Sequence, residues 1–191
     1  AHAWLPLVFA HRAGYNLAMP TPFSHLEIAQ RLLADTALPE TYRALIHKER
    51  PAFLLGSIAA DARVGNGSPR DVTHFYAYGD FITERVWRVM TRKNPTLMTP
   101  KSDPHRAFIA GYVAHITVDE NWTMRMVNPH FIDREWADRM HRFFILHILL
   151  CYMDARDLDR LQDWHANTLK EATPVDWLPF IADEDLITWQ Q

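Results

Sequence analysis

Apolar residues in this chain recur three and four positions apart, and no stretch alternates apolar and polar in the way a half-buried strand does. In "SHLEIAQRLLADTA" the apolar positions are Leu26, Ile28, Leu32 and Leu33, with Ser24 placed to cap the start. Side chains three and four apart share one helix face, so this spacing builds helices and leaves no strands from which to build a sheet. "PETYRALIHKER", "PAFLLGSIAADAR", "FITERVWRVMTRKN" behind Asp80, and the helix opened by Asp103 and Pro104 follow the same rule. "VGNGSPRDVTHFYAYGD" and "NPTLMTPKSDP" hold the glycines, prolines and polar residues of loops. Later come "DREWADRMHRFFILHILLCYMDARD", "DRLQDWHANTLKEA" and "PVDWLPFIADEDLITWQQ". The expectation is an all-α fold, a single-domain multi-helix bundle of roughly seven helices.

Size and charge narrow the function classes. The 191 residues suit one domain. Met19 opens a natural domain start, so residues 1–18 read as an N-terminal extension and residues 19–191 as the domain. A net charge of −3 gives no electrostatic reason to expect a nucleic-acid partner. No apolar run is long enough to be read as a transmembrane segment, and "WLPLVFA" lacks the lysine-rich start of a signal peptide. The single cysteine, Cys151, excludes an internal disulfide framework and leans toward a cytoplasmic location. Within "FFILHILLCYM" it reads as a small packed hydrophobe.

Histidine is the outlier, with 11 residues where roughly four would be usual for this length. His115 and Asp119, in "HITVDENW", lie one helical turn apart on one face, behind the apolar run "AFIAGYVA". An ionised carboxylate in such surroundings needs a partner or a metal ion. The pair therefore either bonds to itself or grips an ion. Asp61 ends "FLLGSIAAD" at a helix C-terminus, where the macrodipole disfavours negative charge and a cation would compensate it. His74 sits among aromatics in "DVTHFYAY", and His25 lies near the start of the first helix. Each of these two is either a packed histidine or a ligand. Three imidazoles and two carboxylates form a donor set suited to zinc, and also to iron, manganese or nickel.

The segments "PTPFSHLEIAQRLL", "AFLLGSIAADA", "THFY" and "GYVAHITVDENW" stand in the order seen in the zinc-dependent phospholipase C family, and over roughly residues 19–122 the chain resembles it. That family is similar in fold to the P1-type nucleases. The resemblance implies an all-α bundle holding up to three zinc ions. It makes His25 a first-helix ligand, Asp61 a ligand that orients or deprotonates the attacking water, His74 a loop ligand, and His115 with Asp119 a helix-borne pair whose carboxylate can bridge two ions. It also implies a phosphodiester or phospholipid-like substrate. The chain departs from the pattern at two positions: Arg12 stands at the place of a metal-binding N-terminal tryptophan, and Arg125 where a further histidine is expected. The later His-x-x-x-Glu pair is missing, and His130, His141 and His147 lack an acid four residues on. One or two ions are therefore expected.

These residues support a metal-dependent phosphoesterase. The alternatives are a metal-binding helical domain without hydrolytic activity, or an interaction domain using tryptophans such as Trp164, Trp177 and Trp189. The adjacent His-Asp pair of HD-type phosphohydrolases and the paired Glu-x-x-His of di-iron bundles do not occur.

Overall fold

The structure is a computed structural model that describes residues 19–77, 79–162 and 164–191, without the side chains of residues 164–166. The N-terminal extension read from the sequence, with Arg12, lies outside the described residues, as does the side chain of Trp164. Helix α1 spans Pro22–Ala34, α2 Glu40–Lys48 and α3 Arg50–Ala59. A 3₁₀ turn over Ala60–Ala62 leads into the short α4, Arg63–Asn66, followed by the single-turn α5, Arg70–Thr73. Next come α6, Val86–Lys93, and α7, Asp103–Trp122. The last elements are α8 (Arg139–Leu158), α9 (Trp164–Leu169) and α10 (Asp183–Trp189). No strand occurs among the described residues, so the fold is all-α.

Several boundaries differ from the sequence reading, each for a local reason. Pro22 stands at the start of α1, where its missing N–H costs nothing. Thr21 is therefore the N-cap, and Ser24 lies inside the helix, donating to Asp157 at 2.7 Å. Helix α7 is capped by Ser102, which accepts from the His105 N–H, one residue before the expected Asp103. Asp80 does not open α6. Its carboxylate accepts from the Ala77 N–H, while the Val86 N–H at the true start donates to Glu120 of α7. Beyond Trp122 the chain continues as a π-helix over Thr123–Ile132 that contains Pro129. Helix α8 starts only at Arg139, behind an Asp138 cap that accepts from His141.

The core lies between α3 and α7. Leu54, Leu55, Phe108, Tyr112 and Ile116 are fully buried there. Burying each large side chain contributes roughly 1.5–3 kcal/mol. Two glycines allow the two helices to approach backbone to backbone. A Cβ on Gly56 would stand 2.0 Å from the Phe108 carbonyl oxygen, and one on Gly111 would stand 2.1 Å from that of Phe53. Helix α1 packs against α3, α7 and α8, and so completes the bundle around the middle of α7.

A smaller apolar cluster of Val127, Phe131, Leu146 and Leu150 joins the π-helical segment to α8. The other face of α8 is turned outward, leaving Met140, Phe144, Ile148 and Tyr152 exposed. Cys151 is exposed as well, contrary to its reading as a packed residue. Of the tryptophans read as a possible contact surface, Trp177 is buried and stacks on His105, and Trp189 donates to the Ile58 carbonyl.

Candidate metal centre

The α3–α7 contact forms the back wall of a polar cluster. His115 and Asp119 project from α7 one turn apart, as their spacing requires. Asp61 sits in the 3₁₀ turn that ends α3. His74 closes the single turn of α5, and the Tyr112 hydroxyl of α7 holds that turn in place by donating to the Thr73 carbonyl at 2.6 Å. His25 enters from α1. The structure thus brings all five residues singled out in the sequence together.

The distances are short. His74 Nε2 lies 3.3 Å from His115 Nε2, 3.2 Å from Asp119 Oδ2 and 3.4 Å from Asp61 Oδ1. His115 Nε2 lies 3.8 Å from Asp119 Oδ2 and 3.9 Å from Asp61 Oδ2. His25 stacks on His115 with ring centroids 3.7 Å apart. Four of the five side chains are sealed from solvent, while Asp61 remains 16% exposed and forms the open edge.

Hydrogen bonding fixes what the ring of His115 offers. Its Nδ1 faces the Ser57 carbonyl at 2.8 Å, so that nitrogen carries the proton and donates. Nε2 then presents a lone pair toward a second imidazole nitrogen and two carboxylates. Such a convergence of acceptors needs a cation at its centre, either a proton on a ring nitrogen or a metal ion. His25 Nε2 and Asp119 Oδ1 make the same point. They lie 3.3 Å apart but are not aligned for a hydrogen bond, and both are buried without a hydrogen-bond partner. Orphaned buried polar atoms of this kind are rare and call for an ion or water.

The donor set fits zinc. A tetrahedral zinc ion with bonds of about 2.0–2.1 Å holds its ligand atoms roughly 3.3 Å apart. The separations around His74 are 3.2, 3.3 and 3.4 Å. Donor atoms of His25, Asp61 and His115, and of His74, His115 and Asp119, form two overlapping groups within 4.8 Å. This cluster can hold a metal ion.

The protonation states suit ligation. Burial, reinforced by the neighbouring His25, pushes His115 down to about 3, so its ring is neutral near pH 7. Burial alone would raise Asp61, but the hydrogen bond from His74 and the nearby imidazoles outweigh it and leave the carboxyl at about 2. Burial also works to raise Asp119, and the Arg70 guanidinium overrides it, holding that carboxyl well below the usual range.

Arg70 is the participant that the sequence reading missed. It opens α5, is buried, and places Nη2 2.5 Å from Asp119 Oδ2. It also donates to the Tyr76 hydroxyl at 3.0 Å. The only sequence signal was its position four residues before His74. His105 provides a contrast within the same helix. It is buried, but Nδ1 accepts from the Lys101 N–H and Nε2 donates to the Trp177 carbonyl, so both nitrogens are satisfied by backbone. His130, His141 and His147 join no ligand-spaced group among the described residues. His141 instead pairs with Asp138 at 2.5 Å.

Fold and site together define a class: an all-α bundle with a buried histidine–aspartate centre of metal-ligand spacing. The profile of the zinc dependent phospholipase C family matches residues 24–149, well over half of the sequence, and the chain belongs to that family. No curated protein and no solved structure matches the chain significantly.

Proposed function

We propose that the protein is a metal-dependent phosphoester hydrolase, with zinc as its resident ion and a phosphodiester or phospholipid-like compound as its substrate. The observation that carries this reading is the convergence of His74, His115, Asp61 and Asp119, with separations of 3.2–3.9 Å from the two imidazole Nε2 atoms, in a chain of the zinc dependent phospholipase C family. These four residues would hold the ion. A bound zinc ion supplies charge stabilisation at the phosphoryl group and acidifies water. The remaining functions fall to the protein. Asp61 is ionised and stands at the open edge of the cluster, so it is the group that reaches an incoming water, orients it and accepts its proton. Ser57 fixes the tautomer of His115, the stacked ring of His25 limits its tilt, and Arg70 holds Asp119.

The test is hydrolysis of a chromogenic phosphodiester and of phosphatidylcholine by zinc-loaded protein. Turnover is expected for the native chain. His115→Ala should abolish it, and Asp61→Asn should lower it by roughly 10²–10⁴-fold. Activity indifferent to both substitutions would overturn the assignment. A second reading, metal binding without turnover, draws support from the burial of His25, His74, His115 and Asp119. Stoichiometric zinc without hydrolysis of either substrate would favour it.

A further inference from the structure

We propose that the outward face of α8 is a dimerisation surface, and that its occupant is the same face of a second copy of this chain, packed antiparallel about a twofold axis. The inner face of α8, with Arg142, Leu146, Leu150 and Asp157, is buried. The outer face carries His141, Phe144, Ile148, Cys151, Ala155 and Leu158, all exposed. These positions recur at alternating steps of three and four, the seven-residue seam through which two helices pack knobs into holes. Met140, Ile145 and Tyr152 flank the seam and are exposed as well.

The exposed area is that of an interface. Met140, Phe144, Ile145, Ile148, Tyr152 and Leu158 are 45–74% exposed. Side chains of this size carry on the order of 200 Å² each, so the six show about 700 Å² of largely apolar surface. The largest apolar patch on a typical monomer is about 300–600 Å², and a stable interface takes roughly 800 Å² from each partner. The seam and its polar edges together come close to that area.

The face matches its own antiparallel copy. With Ile148 set against the partner's Cys151, Phe144 meets the partner's Ala155 and His141 meets the partner's Leu158, so the central layers place large side chains against small ones. Arg139 comes beside the partner's Asp159, twice by symmetry, and the helix macrodipoles oppose each other. A lipid surface is a poorer match, because helices that lie on membranes are rich in lysine and arginine on their polar face. Helix α8 contains no lysine, Arg142 donates to the carbonyls of Ile132 and Arg134, and Arg156 is held by Asp157.

The test is analytical sedimentation of the full chain at micromolar concentration. The native protein should run at twice its 22.3 kDa monomer mass. Ile148→Glu sets like charges near the twofold axis and should weaken dimerisation about 30-fold or more. Its far-UV circular dichroism should match that of the native chain, because the position is exposed. Cross-linking checks the pairing without a variant. Cys151 is the only cysteine, and in this register the two thiols sit on facing helices roughly 4.5 Å apart along the axis. A bis-maleimide with a reach of about 10 Å, close to the spacing of packed helices, should therefore give a covalent dimer. A native monomer, or a dimer that ignores Ile148→Glu and resists the cross-linker, would overturn the proposal. A monomer that dimerises only once residues 1–18 are removed would assign the face to that segment, and one that floats with phosphatidylglycerol vesicles would assign it to lipid; either result defeats the proposal.

Discussion

His115 of α7 donates its Nδ1–H to the Ser57 carbonyl of α3 across 2.8 Å, a distance set by the glycine contact between the two helices. A carbonyl oxygen cannot donate, so this one bond determines which imidazole nitrogen faces the candidate ligands. The orientation of the site therefore depends on how closely two helix backbones approach.

Gly56→Ala and Gly111→Ala should each be severe. The added Cβ would meet backbone oxygens at 2.0 and 2.1 Å, which cannot swing aside. Overpacking of this kind costs roughly 1–3 kcal/mol, and backbone obstruction places these variants near about 3 kcal/mol. Zinc affinity should fall roughly 10–100-fold through the displaced Ser57 carbonyl. Gly65→Ala is the control. Nothing lies within 4 Å of its added Cβ, and it sits within α4, so it should be neutral or stabilise by up to about 1 kcal/mol. Urea titrations and zinc titrations on the same samples measure both effects.

Glu120 follows Asp119 directly but turns the other way. Its carboxylate accepts from the Val86 N–H at 3.0 Å and from Arg85 at 2.8 Å. Arg85 is half-exposed, so the ion pair contributes little and the capping of α6 is the larger effect. Glu120→Ala should cost about 1–3 kcal/mol by leaving a buried N–H unpaired. Zinc content should match the native protein. Asp119→Ala, one residue earlier, should lose the metal. Denaturation midpoints and elemental analysis separate the two roles.

His105 should make stability sensitive to acid. Burial holds its pKa below the usual value, against a weaker upward pull from the hydrogen bond to Trp177. The unfolded imidazole takes up a proton near pH 6.5, while the folded one resists, because a charged ring would point Nδ1–H at the Lys101 N–H. The unfolded state then binds more protons, so the His105 contribution is fully present above that pH and is lost as pH falls below it. Melting temperatures of zinc-loaded protein between pH 8 and pH 5 should drop less steeply in His105→Gln than in the native chain. Parallel slopes would show that His105 is not a source of the acid sensitivity.

Much of this architecture was legible in the sequence, and the misreadings share one physical cause. The pairing of His115 with Asp119 is local to one helix, and helical period fixes it. Arg70 was missed because "SPRDVT" reads as loop. Its role appears only when α5 folds back against α7, held by the Tyr112 hydroxyl. The start of α6 was misplaced because its capping carboxylate comes from Glu120, 34 residues further along the chain. Cys151 was placed in the core because "FFILHILLCYM" is apolar on every side of the helix, whereas α8 packs through only one face. Interactions within one turn are legible in sequence; those made by distant segments need the fold.

The most direct measurement is anomalous X-ray diffraction from a zinc-loaded crystal, with data on both sides of the zinc edge. The account expects a peak bonded to His74 Nε2, His115 Nε2 and the Asp61 and Asp119 carboxylates, with Arg70 still on Asp119. Zinc bound elsewhere, or no peak among these residues in a crystal grown with zinc, would contradict it.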